Sequence, residues 1–278
     1  MPPHPQGQIL RCVDCTHAFT IPESISNPET YDPSYFLSDH RRWFENPDVG
    51  LFARVLAQIP SGASVIDVGC GRGDFLRFAR RERPDLELTG IDVAPNEATE
   101  GIRFAQGDIL QYSLDEQFDA VLSFQVIEHL ADVNEFVDRL LQLVRPGGIV
   151  VVSTPNAGSA LYSAARLGRA LGLTLPYNRL YSKHHLQHFT RQSLSRLLSV
   201  HGCKLEQHWD HNAPIKAMDL PVSNRAADAV LRVGLRVLWG VGRVLRKSYL
   251  QTLICRVTDR GPAKTQSMSG HARAIGLP

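Results

Sequence analysis

No stretch of this chain reads as a membrane span, because every window of eighteen residues carries charged or polar side chains. The opening residues, Met1-Pro-Pro-His-Pro-Gln-Gly-Gln8, lack the apolar run of a secretory leader. Cysteine is scarce and odd in number: five scattered residues argue against a disulfide framework and for a reducing compartment. These absences together predict a cytoplasmic protein. Excess charge is missing as well. Lys and Arg number 30 against 28 Asp and Glu, a net charge of +2, and no RNA-binding pattern accompanies them, so no nucleic-acid partner is expected. Apolar residues are abundant. They make up 43% of 278 residues, enough for one large domain with appendages.

The most informative stretch is Val65-Ile-Asp-Val-Gly-Cys-Gly-Arg-Gly-Asp74. It reads as a buried strand over 64–68, a glycine turn, and a helix opening near Asp74. Glycines at 69, 71 and 73 remove Cβ where a backbone turns sharply and touches a ligand. The third glycine of a dinucleotide fingerprint is absent, because position 74 is Asp. Four further strands follow. Leu86-Glu-Leu-Thr-Gly-Ile-Asp92 ends in an acid, twenty-five residues beyond Asp67. Ile102-Arg-Phe-Ala-Gln-Gly-Asp108-Ile109 closes on an acid and an apolar residue. Phe118-Asp-Ala-Val-Leu-Ser-Phe124 is the fourth strand, and Leu143-Val-Arg-Pro-Gly-Gly-Ile-Val-Val-Val-Ser153 holds a helix end, a turn and the fifth. Helical patterns over 75–83 and 133–144 separate them. Such alternation predicts a parallel α/β sheet covered on both faces, with each acid at a strand's carboxyl end, where open sheets bind ligands.

Asp67-x-Gly69-x-Gly71-x-Gly73 resembles motif I of the class I S-adenosylmethionine-dependent methyltransferases. Ser123-Phe-Gln-Val-Ile-Glu-His-Leu-Ala-Asp132 and Pro146-Gly-Gly-Ile-Val-Val-Val-Ser-Thr-Pro-Asn156 resemble the ubiquinone-biosynthesis-type O-methyltransferases and their relatives. The likeness runs over about residues 60–210. It implies a Rossmann-like fold with a seven-stranded, mostly parallel sheet in the order 3-2-1-4-5-7-6 and helices on both faces. It also implies S-adenosylmethionine as cofactor. Asp67, Gly69, Gly71 and Gly73 would line the methionine portion, Asp92 would take the ribose, and Asp108 with Ile109 would take the adenine. Cys70 and Val93 complete the cofactor set, and Gln125 would face the transferring methyl. Glu128-His129 matches a pair that in some relatives coordinates a metal or assists deprotonation. Its alternative is a helix start in which His129 packs and Glu128 caps, and no metal ligand is assigned. Ser182-Lys-His-His-Leu-Gln-His-Phe-Thr190 resembles the segment entering the post-sheet helix. His185 and His188 are therefore candidate acceptor-pocket or catalytic residues, and Thr190 is the candidate cap of a helix over 192–201.

The ends of the chain read differently. Cys12-Val-Asp-Cys15 and its surroundings resemble the latter half of a zinc ribbon fused to such methyltransferases. A full ribbon needs a second knuckle. A degenerate hairpin against the main domain is the expectation, with zinc through His4 or His17 as the alternative. Residues from Tyr31 to Trp43 are expected to form a lid. Residues 225–278 hold ten Lys or Arg and two Asp, a balance of +8 that leaves −6 for the rest. At about 100° per residue, Arg225, Arg232, Arg236, Arg243, Arg246 and Lys247 share a stripe with Trp239, opposite an aliphatic face. That predicts either an interfacial helix over 226–247 or one whose aliphatic face packs on the sheet or a second subunit, leaving a homodimer open. The expected divisions are 1–45 for the ribbon remnant and lid, 46–224 for the methyltransferase core, 225–260 for the basic helix and closing strand, and 261–278 for a disordered tail. The expected activity is O-methylation of a small-molecule or lipid-linked acceptor, in the cytoplasm or at a membrane surface. Its rivals are a non-catalytic scaffold and a nicotinamide-dependent oxidoreductase.

Overall fold

The computed structural model describes residues 8–21, 41–182, 184–220, 224–258 and 274–276. In chain order the elements are β1 (Gln8–Cys12), β2 (Ala18–Ile21), α1 (Arg41–Glu45), α2 (Val49–Leu56), β3 (Ser64–Val68), α3 (Asp74–Glu82), β4 (Glu87–Asp92), β5 (Ile102–Gln106) and β6 (Phe118–Phe124). There follow α4 (Val133–Leu143), β7 (Val144–Pro155), α5 (Ala160–Ala170), α6 (Thr174–Leu180), β8 (Gln187–His188), α7 (Arg191–Val200), β9 (Cys203–His211), α8 (Arg225–Val244), β10 (Leu250–Val257) and β11 (Ala274–Gly276).

The central sheet has seven strands in the order β5-β4-β3-β6-β7-β10-β9. That is the order 3-2-1-4-5-7-6 implied by the resemblance. Pairings from β5 through β7 are parallel, while β10 runs antiparallel to both β7 and β9. Every residue of β3 is buried, which is why its sequence is continuously apolar apart from Ser64 and Asp67. Successive side chains feed opposite layers. Ile66, Val121, Val150 and Leu253 pack with Phe136 and Leu140 of α4 and Leu194 of α7. Val65, Leu122, Val151 and Ile254 pack with Val55 of α2 and Phe75 and Leu76 of α3. Thr190 caps α7 through the amide of Ser193, whose hydroxyl accepts in return from the Thr190 amide.

The Cys12–Cys15 region forms a hairpin, β1–β2, in a small second sheet with β8 and β11. Ala18 pairs with His188 and Phe19 with Gln187, so this sheet is joined to the segment that enters α7. Ala274–Gly276, part of the stretch expected to lack structure, lies antiparallel to β1. Backbone pairing needs no side-chain pattern, so a short segment such as Ala-Ile-Gly carries little signal for it. The Cys12 thiol is held below its ordinary pKa, chiefly by the Cys15 amide. His17, expected as a possible further zinc ligand, turns toward the main domain. Its Nε2 meets Gln187 Oε1 at 2.9 Å and its ring lies 4.6 Å from that of Phe189. His4 and most of the expected lid, Tyr31 onward to residue 40, lie outside the described residues.

Helix α8 corrects the sequence expectation. Its inward face is not aliphatic but consists of Arg232, Leu235, Trp239 and Gly242, and Trp239 is not interfacial but buried. The surface beneath includes the 3-10 turn Ile215–Ala217 and its flanking backbone, whose carbonyl groups need donors. Arg232 donates to Ile215 O and Met218 O, and Trp239 Nε1 donates to Ala213 O at 3.0 Å. Trp239 also stacks on Tyr249, with centroids 5.7 Å apart.

Candidate functional site

The glycine turn between β3 and α3 is bound to the tip of β4 from two directions. Gly69 and Cys70 donate backbone N–H groups to Ile91 O, and Gly71 donates to Asp92 Oδ2 at 2.7 Å. The other Asp92 oxygen accepts from Ala94 at 2.8 Å. Asp92 therefore sets the loop's shape while keeping acceptor positions to spare. Gly69 has a φ of +74°, and a Cβ added there would collide with Val126 Cγ2. Both the left-handed backbone and the side-chain clash oppose any other residue. We expect Gly69→Ala to lower stability by about 2–4 kcal/mol and to abolish binding at the loop. Thermal unfolding and ligand titration of that variant would check this; native stability with intact binding would refute it.

A cavity of about 320 Å³ opens above these carboxyl ends. The predicted set Asp67, Gly69, Cys70, Gly71, Asp92, Val93, Asp108, Ile109 and Gln125 lines it; Gly73 stands just behind, as the N-cap of α3. Asp67 is 2% exposed, and its Oδ1 has no hydrogen-bond partner. Burial, reinforced by Asp92 and Asp74, pushes its pKa up to about 8. Burial also raises Asp92. Asp108 Oδ1 accepts from the Leu110 amide and so caps its own turn. Gln125 sits at φ +57° with its amide on Ser153 O, a constrained conformation at the end of β6.

The other half of the cavity gathers Glu128, His129 and His185. Residues Ile127–His129 form a short 3-10 turn, so Glu128 points inward and is 1% exposed. Its Oε2 accepts from Thr154 Oγ1 at 2.8 Å, and burial pushes its pKa up to about 8. His129 Nδ1 lies 2.7 Å from His184 O. A carbonyl only accepts, so Nδ1 carries the proton, and in the neutral form of the ring the lone pair would be on Nε2. The rings of His129 and His185 meet edge to face at 5.0 Å. Donor atoms of these three residues all lie within 4.8 Å of one another, a spacing that could hold a metal ion. Among the described residues no other such group occurs.

His188 does not join them. It is 2% exposed in β8, with Nε2 at 2.9 Å from Thr20 Oγ1 and its ring against Tyr181. Pairing of β8 with β2 sets His188 beside Thr20, away from the cavity that His185 lines, so it holds the small sheet to the core. The sequence reading missed Phe44, Pro214, Ala217 and Tyr249, which also line the cavity, Phe44 lying against Gly71 and Arg72 of the glycine loop with Trp43 beside it. They come from segments remote in the chain, and only the aromatic content of the 31–43 stretch hinted at any of them. A wider hollow of about 930 Å³ lies at the amino ends of the strands, lined by Glu87, Arg103, Glu116 and Arg145. Arg103 there pairs with Glu116 and Arg145 with Asp119, whereas the cavity at the carboxyl ends holds the buried, partnerless Asp67 Oδ1.

A family model described as a methyltransferase domain matches residues 40–208. A probable S-adenosylmethionine-dependent methyltransferase of Mycolicibacterium smegmatis is 30% identical over 175 residues, which are 61% of this chain and 62% of that protein. The ubiquinone biosynthesis O-methyltransferase of Azorhizobium caulinodans is 33% identical over 118 residues, 38% of this chain and 46% of that one. The chain therefore spans less than two thirds of the length of these curated relatives. In fold it is similar to the 1,6-didemethyltoxoflavin N1-methyltransferase of Burkholderia thailandensis, solved with S-adenosylhomocysteine. The TM-score is 0.55 at 15% identity, over 90% of this chain and 99% of that one.

Proposed function

Because the chain belongs to the methyltransferase-domain family, we propose that it transfers a methyl group from S-adenosylmethionine to an oxygen of a small-molecule or lipid-linked acceptor. One observation carries the reading: the buried Asp67 carboxyl, lacking a partner on one oxygen, opens into the same cavity as Asp92, Asp108 and the Glu128–His129–His185 group. A cationic ligand tail would complete Asp67, a ribose diol would use the remaining acceptor positions of Asp92, and Asp108 with Ile109 would hold a base. S-adenosylmethionine supplies a methyl group activated by its sulfonium. His129, fixed through Nδ1, would take the proton of an acceptor hydroxyl on Nε2 as oxygen bonds to the methyl carbon and the carbon–sulfur bond breaks. Positioning of that oxygen in line by the cavity walls at Pro214 and Tyr249 would supply the rest of the acceleration.

Calorimetric titration with S-adenosylhomocysteine, with NADH as control, tests this. Micromolar binding of the first alone is expected; binding of NADH, or of neither, defeats the reading. The pH dependence carries a sign. Asp67 must lose its proton to meet a cation, and its pKa of about 8 keeps it protonated in acid. Affinity should therefore rise from pH 6 toward pH 8, by up to about tenfold per unit. Asp67→Asn should flatten that slope, and a wild-type profile flat over the same range would remove Asp67 from the ligand's charged end.

A further inference from the structure

We propose that the outer face of α8 docks on an anionic phospholipid surface. Val230, Val233, Val237, Val241 and Val244 are between 43% and 83% exposed. At about 100° per residue they form one stripe along the helix. Arg225, Arg236 and Arg243, all exposed, run along one edge of it. The helix cannot turn to bury the valines. Asn224 caps it, Arg232 and Trp239 fasten its inner face to the loop beneath, and a side chain at Gly242 would meet Lys247 O at 2.8 Å.

An apolar stripe held outward beside a row of cations marks an interaction surface. Charge decides the occupant. The only acid of α8 is Asp228, and it is held by Arg232 at 2.7 Å, so nothing on this helix neutralises the exposed arginines. A second copy packed valine to valine would bring two such arginine rows together without acids between them, at a repulsive cost. Anionic headgroups match the row, and acyl chains match the valines. Among the described residues no helix is long and apolar enough to cross a membrane, so α8 would lie in the plane of the interface. Docking stands independently of methyl transfer. Its consequence rests on the reading above: Trp239 stacks on the cavity residue Tyr249, so the cavity wall is one side-chain layer from the docked helix, which favours a lipid-borne acceptor.

The full chain should sediment with vesicles of phosphatidylcholine mixed with phosphatidylglycerol and not with phosphatidylcholine alone. Raising salt from about 0.1 to 1 M should release it. Arg236→Glu with Arg243→Glu, and separately Val237→Asp with Val244→Asp, should each lower the partition coefficient at least about tenfold. S-adenosylhomocysteine affinity should not change in either, which shows the fold intact and separates failed docking from a failed cofactor site. The proposal is overturned if the wild type never sediments, or if either variant sediments undiminished. It is equally overturned if ultracentrifugation finds a wild-type dimer that the valine variant dissolves, since the face then belongs to a second copy.

Discussion

Replacing His129 with alanine should lower kcat about 10²–10⁴-fold, the range for loss of a positioned general base, while S-adenosylhomocysteine binds as before. The separation follows from geometry. His129 is held by its own backbone turn and by His184 O, whereas the glycine loop is held in shape by Ile91 O and Asp92. Removal of His129 leaves the contacts that would hold the cofactor untouched. Once an acceptor is identified, single-turnover rates with a parallel titration would check this. A rate within a few-fold of wild type would end the role given to His129. Chelation distinguishes base from metal ligand at the same place: rates that survive chelation keep His129 as a base, whereas rates lost to it and restored by a divalent ion would assign the Glu128–His129–His185 group to metal.

For Asp92→Ala, the dissociation constant for S-adenosylhomocysteine should rise about 10- to 150-fold, equivalent to 1.5–3 kcal/mol for charge-assisted hydrogen bonds. Two losses coincide. The ribose diol loses its acceptor, and the Gly71 amide, bonded to Asp92 at 2.7 Å, loses the partner that holds the loop in shape. Asp92→Asn keeps one acceptor oxygen and should fall between wild type and alanine. Affinity unchanged in the alanine variant would remove the ribose assignment.

Much of this site was legible in the sequence because its parts are local. Each of the three strand-tip acids follows a strand whose apolar run declares it, and open parallel sheets bind ligands at the carboxyl ends of their strands. Asp67, Asp92 and Asp108 therefore reach one cavity without further information. The histidines were harder. His185 and His188 lie three residues apart, and nothing in their order says which faces the cavity. Pairing of His188 with Ala18, more than a hundred and fifty residues earlier, decides it. For helix α8 the packed aliphatic face and the place of Trp239 were misread for a related reason. Its periodicity was correct, but which stripe faces inward depends on the surface beneath, and Ala213, Ile215 and Met218 offer carbonyl oxygens there.

By itself the sequence determined the sheet, its order through the family resemblance, and the glycine turn and strand-tip acids that line the cavity, because hydrophobic period and turn chemistry act over neighbouring residues. Only the tertiary structure brought Glu128, His129 and His185, each a candidate in the sequence, to one cavity with Pro214 and Tyr249, because these come from distant segments. It also decided that α8 shows solvent its valines. Both outcomes depend on satisfying buried polar groups across the fold, a demand placed by partners far apart in the chain and written in no local pattern.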